Sequence, residues 1–199
     1  MNVLDLFSGC GGISLGFKLA GFNISGGIDI DPDSIKTFQK NFPKSKAICE
    51  SLLEYNDERI LNDFGNKKIG VIVGGPPCQG FSSANRWQKE NEDPRNKLFF
   101  EYLRFVELLK PKAVVIENVR GILTRDMGFA KNRIEKLLED LGYTVNCEVL
   151  NASDYGVPQN RLRAFFVAIR NDYKETFDFD QLSKKSKVTV KEAIGELYD

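Results

Sequence analysis

No histidine occurs among the 199 residues. That absence excludes Ser-His-Asp and Cys-His nucleophile pairs as well as HExxH metal sites. Any reactive thiol or hydroxyl here must be activated by other means. Cysteine is also scarce: Cys10, Cys49, Cys78 and Cys147 lie far apart, with no CxxC pair. The pattern predicts a reduced protein of the cytoplasm, with neither a disulfide framework nor a zinc knuckle. An excess of charge of either sign is missing too, since 28 basic side chains balance 28 acidic ones. A self-sufficient nucleic-acid binder usually carries a basic excess, so the composition alone gives no sign of one. Long hydrophobic runs are absent; Ala113–Ile116 and Ala164–Ile169 are far too short to span a bilayer. Met1-Asn2-Val3-Leu4 enters a strand pattern directly, without the layout of a secretory signal.

What is present suits one α/β domain, and 199 residues bury enough surface for a substantial core. The stretch Val71-Ile-Val-Gly-Gly-Pro-Pro-Cys-Gln-Gly-Phe-Ser82 reads as a short buried strand stopped by two glycines and two prolines, with Cys78 in the turn. Proline fixes φ and removes a backbone donor, so this loop is stiff and cannot continue the sheet. A thiol at the carboxyl end of a buried strand is where an α/β enzyme holds a nucleophile. A proline-rich turn around a buried cysteine fits the same residues.

Further strand ends carry polar groups. Asn2–Leu6 is an apolar strand running into Phe7-Ser-Gly-Cys-Gly-Gly12, followed by helical spacing over Ile13–Ala20. Strand, glycine-rich turn and helix open a nucleotide-binding unit. A second strand, Phe22–Ile28, ends at Asp29-Ile30-Asp31-Pro32. An acid at that point suits ribose hydroxyls, and Asp31 before Pro32 suits a helix cap. A third strand near Ala47-Ile48 ends at Cys49-Glu50-Ser51, a candidate for an adenine edge or a plain loop acid. The loop Ser83–Arg95 holds Arg86, Trp87, Lys89 and Arg95, residue types that suit phosphates and bases. Lys97–Leu109 predicts an amphipathic helix whose aromatic stripe (Phe99, Phe100, Tyr102, Phe105) belongs to the core. Lys112–Ile116 predicts another buried strand, ending in Glu117-Asn118-Val119, with the carboxylate desolvated under valine and isoleucine.

A helix over Met127–Leu141 stops at Gly142. The β-rich runs Tyr143–Leu150 and Leu162–Ile169 then predict an antiparallel pair at the sheet edge, joined by a loop that brings Gln159, Arg161 and Arg163. Thr189-x-x-Glu192 is a capping box opening a short helix. Residues 1–182 are expected to form the catalytic domain, and 183–199 a linker and short helix. The fold class is a doubly wound, mostly parallel sheet with helices on both faces.

In combination and in order, these motifs resemble the catalytic domain of cytosine-C5 DNA methyltransferases over Val3–Arg170. The resemblance implies S-adenosylmethionine as methyl donor, double-stranded DNA as acceptor and no metal. It implies a donor pocket lined by Phe7, Gly9, Cys10, Gly12, Asp29, Ile30, Glu50 and Leu98. Cys78 would attack a flipped-out cytosine, Glu117 would act as the acid, and Arg163 would hold the base carbonyl and Glu117. Pro77, Gln79, Ser82, Asn118, Gln159 and Arg161 would line the base site. In a restriction-modification system the protein would be cytoplasmic, and nucleoid-associated when bound to DNA.

The sequence departs from the family at three places. Ile30 stands where many members carry an aromatic, and Glu50-Ser51 where Asp-Ile is usual. The chain also stops where a target-recognition domain is expected, without the last cofactor-site motif and its helix. The expectation is therefore the catalytic half of a split enzyme, completed by a second polypeptide. Two alternatives are a silent module that binds only donor or partner, and an RNA cytosine methyltransferase. The tRNA-modifying branch carries Cys-Phe-Thr, and no cysteine here is followed by Phe-Thr.

Overall fold

The computed structural model describes residues 1–77 and 96–198. Seven strands form one sheet in the order β3-β2-β1-β4-β5-β7-β6. They span Asn2–Leu6 (β1), Asn23–Asp29 (β2), Lys46–Cys49 (β3), Ile69–Gly74 (β4), Ala113–Val119 (β5), Tyr143–Asn151 (β6) and Leu162–Arg170 (β7). The first five are parallel, and β7 lies antiparallel between β5 and β6. This is the expected mostly parallel, doubly wound architecture with an antiparallel pair at one edge.

Chain order reverses between β1 and β4, the position where open α/β sheets bind ligands beyond their carboxyl ends. The two loops singled out in the sequence leave these two neighbouring strands. Gly74 at the end of β4 has no alternative residue: a Cβ there would stand 2.1 Å from the Leu6 carbonyl oxygen. The strand ends at the switch point therefore approach more closely than any side chain allows.

Helices α1 (Gly12–Leu19) and α2 (Pro32–Asn41) cover one face of β1–β3. Their core joins Phe38 and Phe42 to Val3, Ile24, Val71 and Val73. Helices α3 (Asp57–Phe64), α4 (Lys97–Leu109) and α5 (Phe129–Asp140) cover the other face, with Phe64, Phe99, Tyr102, Phe105, Ile134 and Leu138 all fully buried. The aromatic stripe of α4 is core, as its spacing indicates, although Phe100 only packs against the rim. Asp31 caps α2 by accepting the Ser34 N–H at 2.8 Å, and Pro32 begins the helix. Thr189 and Glu192 form the expected reciprocal capping box at the short helix α6 (Val190–Ile194). No helix among the described residues is long and apolar enough to cross a membrane.

Two elements differ from the sequence reading. β5 does not stop at Ile116 but runs to Val119, because pairing with β7 continues past the last residue paired with β4. Helix α3 was not foreseen at all. Its signals are Asn56, which caps it by accepting the Arg59 N–H at 2.9 Å, acids in the first turn, and buried Ile60 and Phe64.

Candidate functional site

The donor loop is shaped by an unusual backbone. Phe7, Gly9 and Gly11 take positive φ of 61°, 52° and 93°. For a bulky residue such as Phe7 this is a strained conformation, of the kind that collects where a loop is held for a ligand. Gly11 cannot be replaced without displacing packed aromatics, since a Cβ would stand 2.4 Å from the Phe42 ring. Asp29, the last residue of β2, holds the loop from the side. Its Oδ2 accepts the Gly9 N–H at 2.7 Å and its Oδ1 accepts the Asp31 N–H at 3.0 Å.

Beneath the loop lies Asp5, 1% exposed. Its Oδ2 accepts the Ser14 hydroxyl at 2.6 Å, linking β1 to the first turn of α1. Burial pushes its carboxyl group up to about 7, against the opposing pull of the Ser14 hydrogen bonds.

Phe7, Asp29, Ile30, Glu50, Leu98 and Pro77 line one cleft, together with Ile28, Ser51 and Leu52. Five of the eight residues expected in a donor pocket thus share a wall, and Gly9 is tied to it through Asp29. Cys10 stands on the adjoining loop and Gly12 opens α1, neither on the wall; both are exposed. Ile28 and Leu52 were missed, because an apolar residue before a polar strand end carries no chemical signature of its own. Ile30 is 70% exposed, offering a bare aliphatic surface at the cleft mouth. Glu50 lines the cleft while its carboxylate pairs with Arg59 at 2.6 Å. The cradle fits a nucleoside-bearing donor on one structural criterion: a Cβ at Gly9 or Gly12 would meet no protein atom within 4 Å. The α1 N-terminus there carries no side-chain cap and no acid in its first turn. The Ser14 N–H of that first turn is taken by Asp5, and the positive end of the helix dipole suits a carboxylate.

The second half of the site is built by β4, β5 and β7. Cys78, Gln79 and Ser82 lie outside the described residues, as do Arg86, Trp87, Lys89 and Arg95. Pro76 and Pro77 lead to Cys78, and the Asn118 amide donates to the Pro76 carbonyl at 3.0 Å. The tripeptide Glu117-Asn118-Val119 is thereby fastened to the base of the cysteine loop. Gly75 confirms the closeness, since a Cβ on it would stand 3.4 Å from the Glu117 carboxylate.

Glu117 is opposite Phe165 on β7, and Arg163 is opposite Val119. Glu117 and Arg163 are thus diagonal neighbours on one face. Arg163 Nε reaches Glu117 Oε1 at 2.8 Å, and Arg161 Nη2 stands 3.9 Å from the same oxygen. The carboxylate is not walled in by valine and isoleucine as expected; it is partly exposed and faces a guanidinium. Gln159 is exposed in the connection before β7, its backbone N–H donating to the Val157 carbonyl.

Of the other thiols, Cys147 is disqualified as a nucleophile because burial pushes it up to about 12. Among the described residues no group of three or more metal-ligating side chains is assembled.

Comparison with known proteins places this geometry. A family model described as C-5 cytosine-specific DNA methylase matches residues 1–199. Type II methyltransferase M1.HphI of Haemophilus parahaemolyticus is 41% identical over 196 residues, 98% of this chain and 52% of the relative. M.DdeI of Desulfomicrobium norvegicum is 42% identical, over 99% of this chain and 48% of its own length. The chain therefore spans about half the length of these curated relatives. Among solved structures, a DNA modification methyltransferase encoded within an Escherichia coli prophage superposes with a TM-score of 0.82 at 37% identity, covering 98% of this chain and 54% of its own. The S. pombe Dnmt2 methyltransferase, at 23% identity and a TM-score of 0.69 over 90% of this chain and 52% of that one, shares the fold.

Proposed function

Because the chain belongs to the C-5 cytosine-specific DNA methylase family, we propose that it is the catalytic half of an enzyme that methylates C5 of a flipped-out cytosine in DNA. Residues 1–182 form the catalytic domain and 183–199 lead toward a target-recognition region carried by a second polypeptide. The observation that carries this reading is the Glu117–Arg163 pair, on the same strand edge as the Pro76–Pro77 base of the cysteine loop.

Cytosine C5 is too weak a nucleophile to accept a methyl group unaided. Cys78 as thiolate adds to C6, forming a C–S bond and moving the ring electrons toward C5. Glu117 in its acid form protonates or hydrogen-bonds N3 and accepts from the exocyclic amine, so the negative charge brought in by the thiolate ends on its carboxylate. Arg163 orients Glu117 and reaches the base carbonyl, while Arg161, 48% exposed, steadies the base edge or nearby backbone. Pro77, Gln79, Ser82, Asn118 and Gln159 shape the base site around them. S-adenosylmethionine, when bound, supplies an electrophilic methyl group to the activated C5. Transfer of the C5 proton to solvent water then returns its electron pair to the ring and expels the Cys78 thiolate, releasing 5-methylcytosine.

Phe7, Gly9, Cys10, Gly12, Asp29, Ile30, Glu50 and Leu98 hold the donor. Asp29 retains lone pairs for the ribose beyond those given to Gly9 and Asp31. With Ile30 in place of a stacking ring, the adenine is held by aliphatic contact. Extruding the base costs a few kcal/mol, which contacts from the recognition half must offset.

The test is a covalent trap. DNA containing 5-fluorocytosine, incubated with the completed enzyme and donor, should form an adduct that Cys78→Ala abolishes. No adduct, or one that survives the substitution, refutes the mechanism. A silent binding module would bind the donor by calorimetry yet give neither adduct nor product.

A further inference from the structure

Glu50 sits one strand out from Asp29. β3 runs parallel to β2 with Cys49 beside Asp29, and the Glu50 N–H donates to the Asp29 carbonyl at 2.9 Å. Both acids line the donor cleft, in the strand order β1, β2, β3 that leads away from the glycine loop. Ribose at Asp29 therefore places the donor's base beside Glu50. The other walls there, Phe7, Ile30 and Leu52, are apolar and cannot tell one purine edge from another. Ser51 uses its hydroxyl to accept the Leu53 N–H at 3.3 Å, capping the next turn. Edge recognition falls to the Glu50 carboxylate.

A glutamate at a cleft rim has three side-chain torsions and must be held to act as a reader. Arg59, in the first turn of α3, does the holding. Its Nη1 donates to Glu50 Oε1 at 2.6 Å, and its guanidinium lies 4.3 Å from the centre of the Tyr55 ring. That ring is a fixed platform. Tyr55 is fully buried, packs against Phe105 at 5.8 Å between ring centres, and donates its hydroxyl to Asp63, which also pairs with Lys46. A guanidinium laid on such a ring cannot follow the carboxylate into solvent. Glu50 Oε2 has no hydrogen bond among the described residues, so one oxygen is anchored and the other is left for a ligand.

We propose that Arg59 is a positioning residue that sets the base selectivity of the donor cleft: by anchoring Glu50 Oε1 it directs Oε2 to the exocyclic amine of the donor's adenine. The inference rests on the reading of this cleft as the donor pocket. An amine donates to the carboxylate, whereas a keto oxygen in the same place sets lone pairs against it. A site built to accept from one group rejects the analogue that lacks it. An exposed ion pair contributes little to stability, so the weight of this one falls on direction.

The test is calorimetry on the full chain with S-adenosylhomocysteine and S-inosylhomocysteine, which differ only in the amine or keto group of the purine. The wild type should prefer the adenosyl compound at least about tenfold in Kd. Arg59→Ala should shrink that preference to within about twofold, by weakening the adenosyl compound and leaving the inosyl one nearly unchanged. Arg59→Lys should fall between, because an ammonium reaches Oε1 but lacks the planar group that lies on Tyr55. Glu50→Ala should lose the preference equally, and adding Arg59→Ala to it should change nothing further. The ratio is decisive, since a merely loosened fold weakens both compounds alike. A wild type without preference, an unchanged ratio in Arg59→Ala, or additive losses in the double variant overturns the proposal. In each of those cases the adenosyl compound still binds and the donor cleft stands. Binding of neither compound by the wild type removes the cleft reading, and this inference with it.

Discussion

Arg163 and Glu117 meet across the antiparallel β5–β7 pair, Nε to Oε1 at 2.8 Å, with each side chain about a quarter exposed. The contact aims a carboxylate at the space beside the cysteine loop and supplies a guanidinium with donors to spare. Such a pair contributes little to stability when partly wet, but much to the direction of the groups it holds.

The first expectation concerns that pair. Arg163→Ala in the completed enzyme should lower kcat by about 100-fold, the scale for removing one donor that stabilises developing charge. Arg163→Lys should recover only part of it, because an ammonium cannot reproduce the planar fork. Methyl incorporation into DNA measures both. A thermal melt should move little.

Asn118 ties β5 to the cysteine loop through the Pro76 carbonyl. Asn118→Ala should cost about 1 kcal/mol of stability, the net value of one such hydrogen bond. Its larger effect should fall on kcat, since the Cys78 loop loses its fastening to the acid. Denaturant titration and single-turnover methylation separate the two contributions.

The carboxyl group of Asp5, raised to about 7 by burial, makes a signed prediction about pH. The folded state keeps its proton to a higher pH than the unfolded chain, where the group titrates near 3.8. Between those values the folded state binds more protons, so this group's contribution to stability falls as pH rises and levels off above about 7. Asp5→Asn keeps an acceptor for Ser14 and removes the ionisation. The variant should therefore gain on the wild type from pH 4 to pH 7, by an amount on the order of a few kcal/mol. Melting curves across that range read the difference.

The glycines divide by what they face. Gly74→Ala sets a methyl 2.1 Å from the Leu6 carbonyl and should destabilise the fold by about 3 kcal/mol or more. Gly12→Ala adds a Cβ where no protein atom outside its neighbours and its own helix lies within 4 Å. It should leave the melt almost unchanged while weakening binding of S-adenosylmethionine at least about tenfold, as calorimetry would show.

Much of this protein could be read from its residues in order. Asn2–Leu6, Lys97–Leu109 and the cap at Asp31 follow from local patterning, because a strand period, a helical stripe and a side-chain cap are decided within a few neighbours. The glycine loop, the Pro-Pro-Cys turn and the Glu-Asn-Val strand end are likewise local, and together they point to the chemistry. Helix α3 escaped notice because its eight residues bury only Ile60 and Phe64, too short a stripe to stand out. Other features had no local signal at all. The extension of β5 through Glu117, the diagonal placing of Arg163 beside it, and the use of Asp29 to latch Gly9 each join residues far apart in the chain. The partly open apolar face over β5 and β7 belongs with them, since it depends on where every helix has gone. Sequence period decides which side of a strand is apolar; only the assembled sheet decides what covers it.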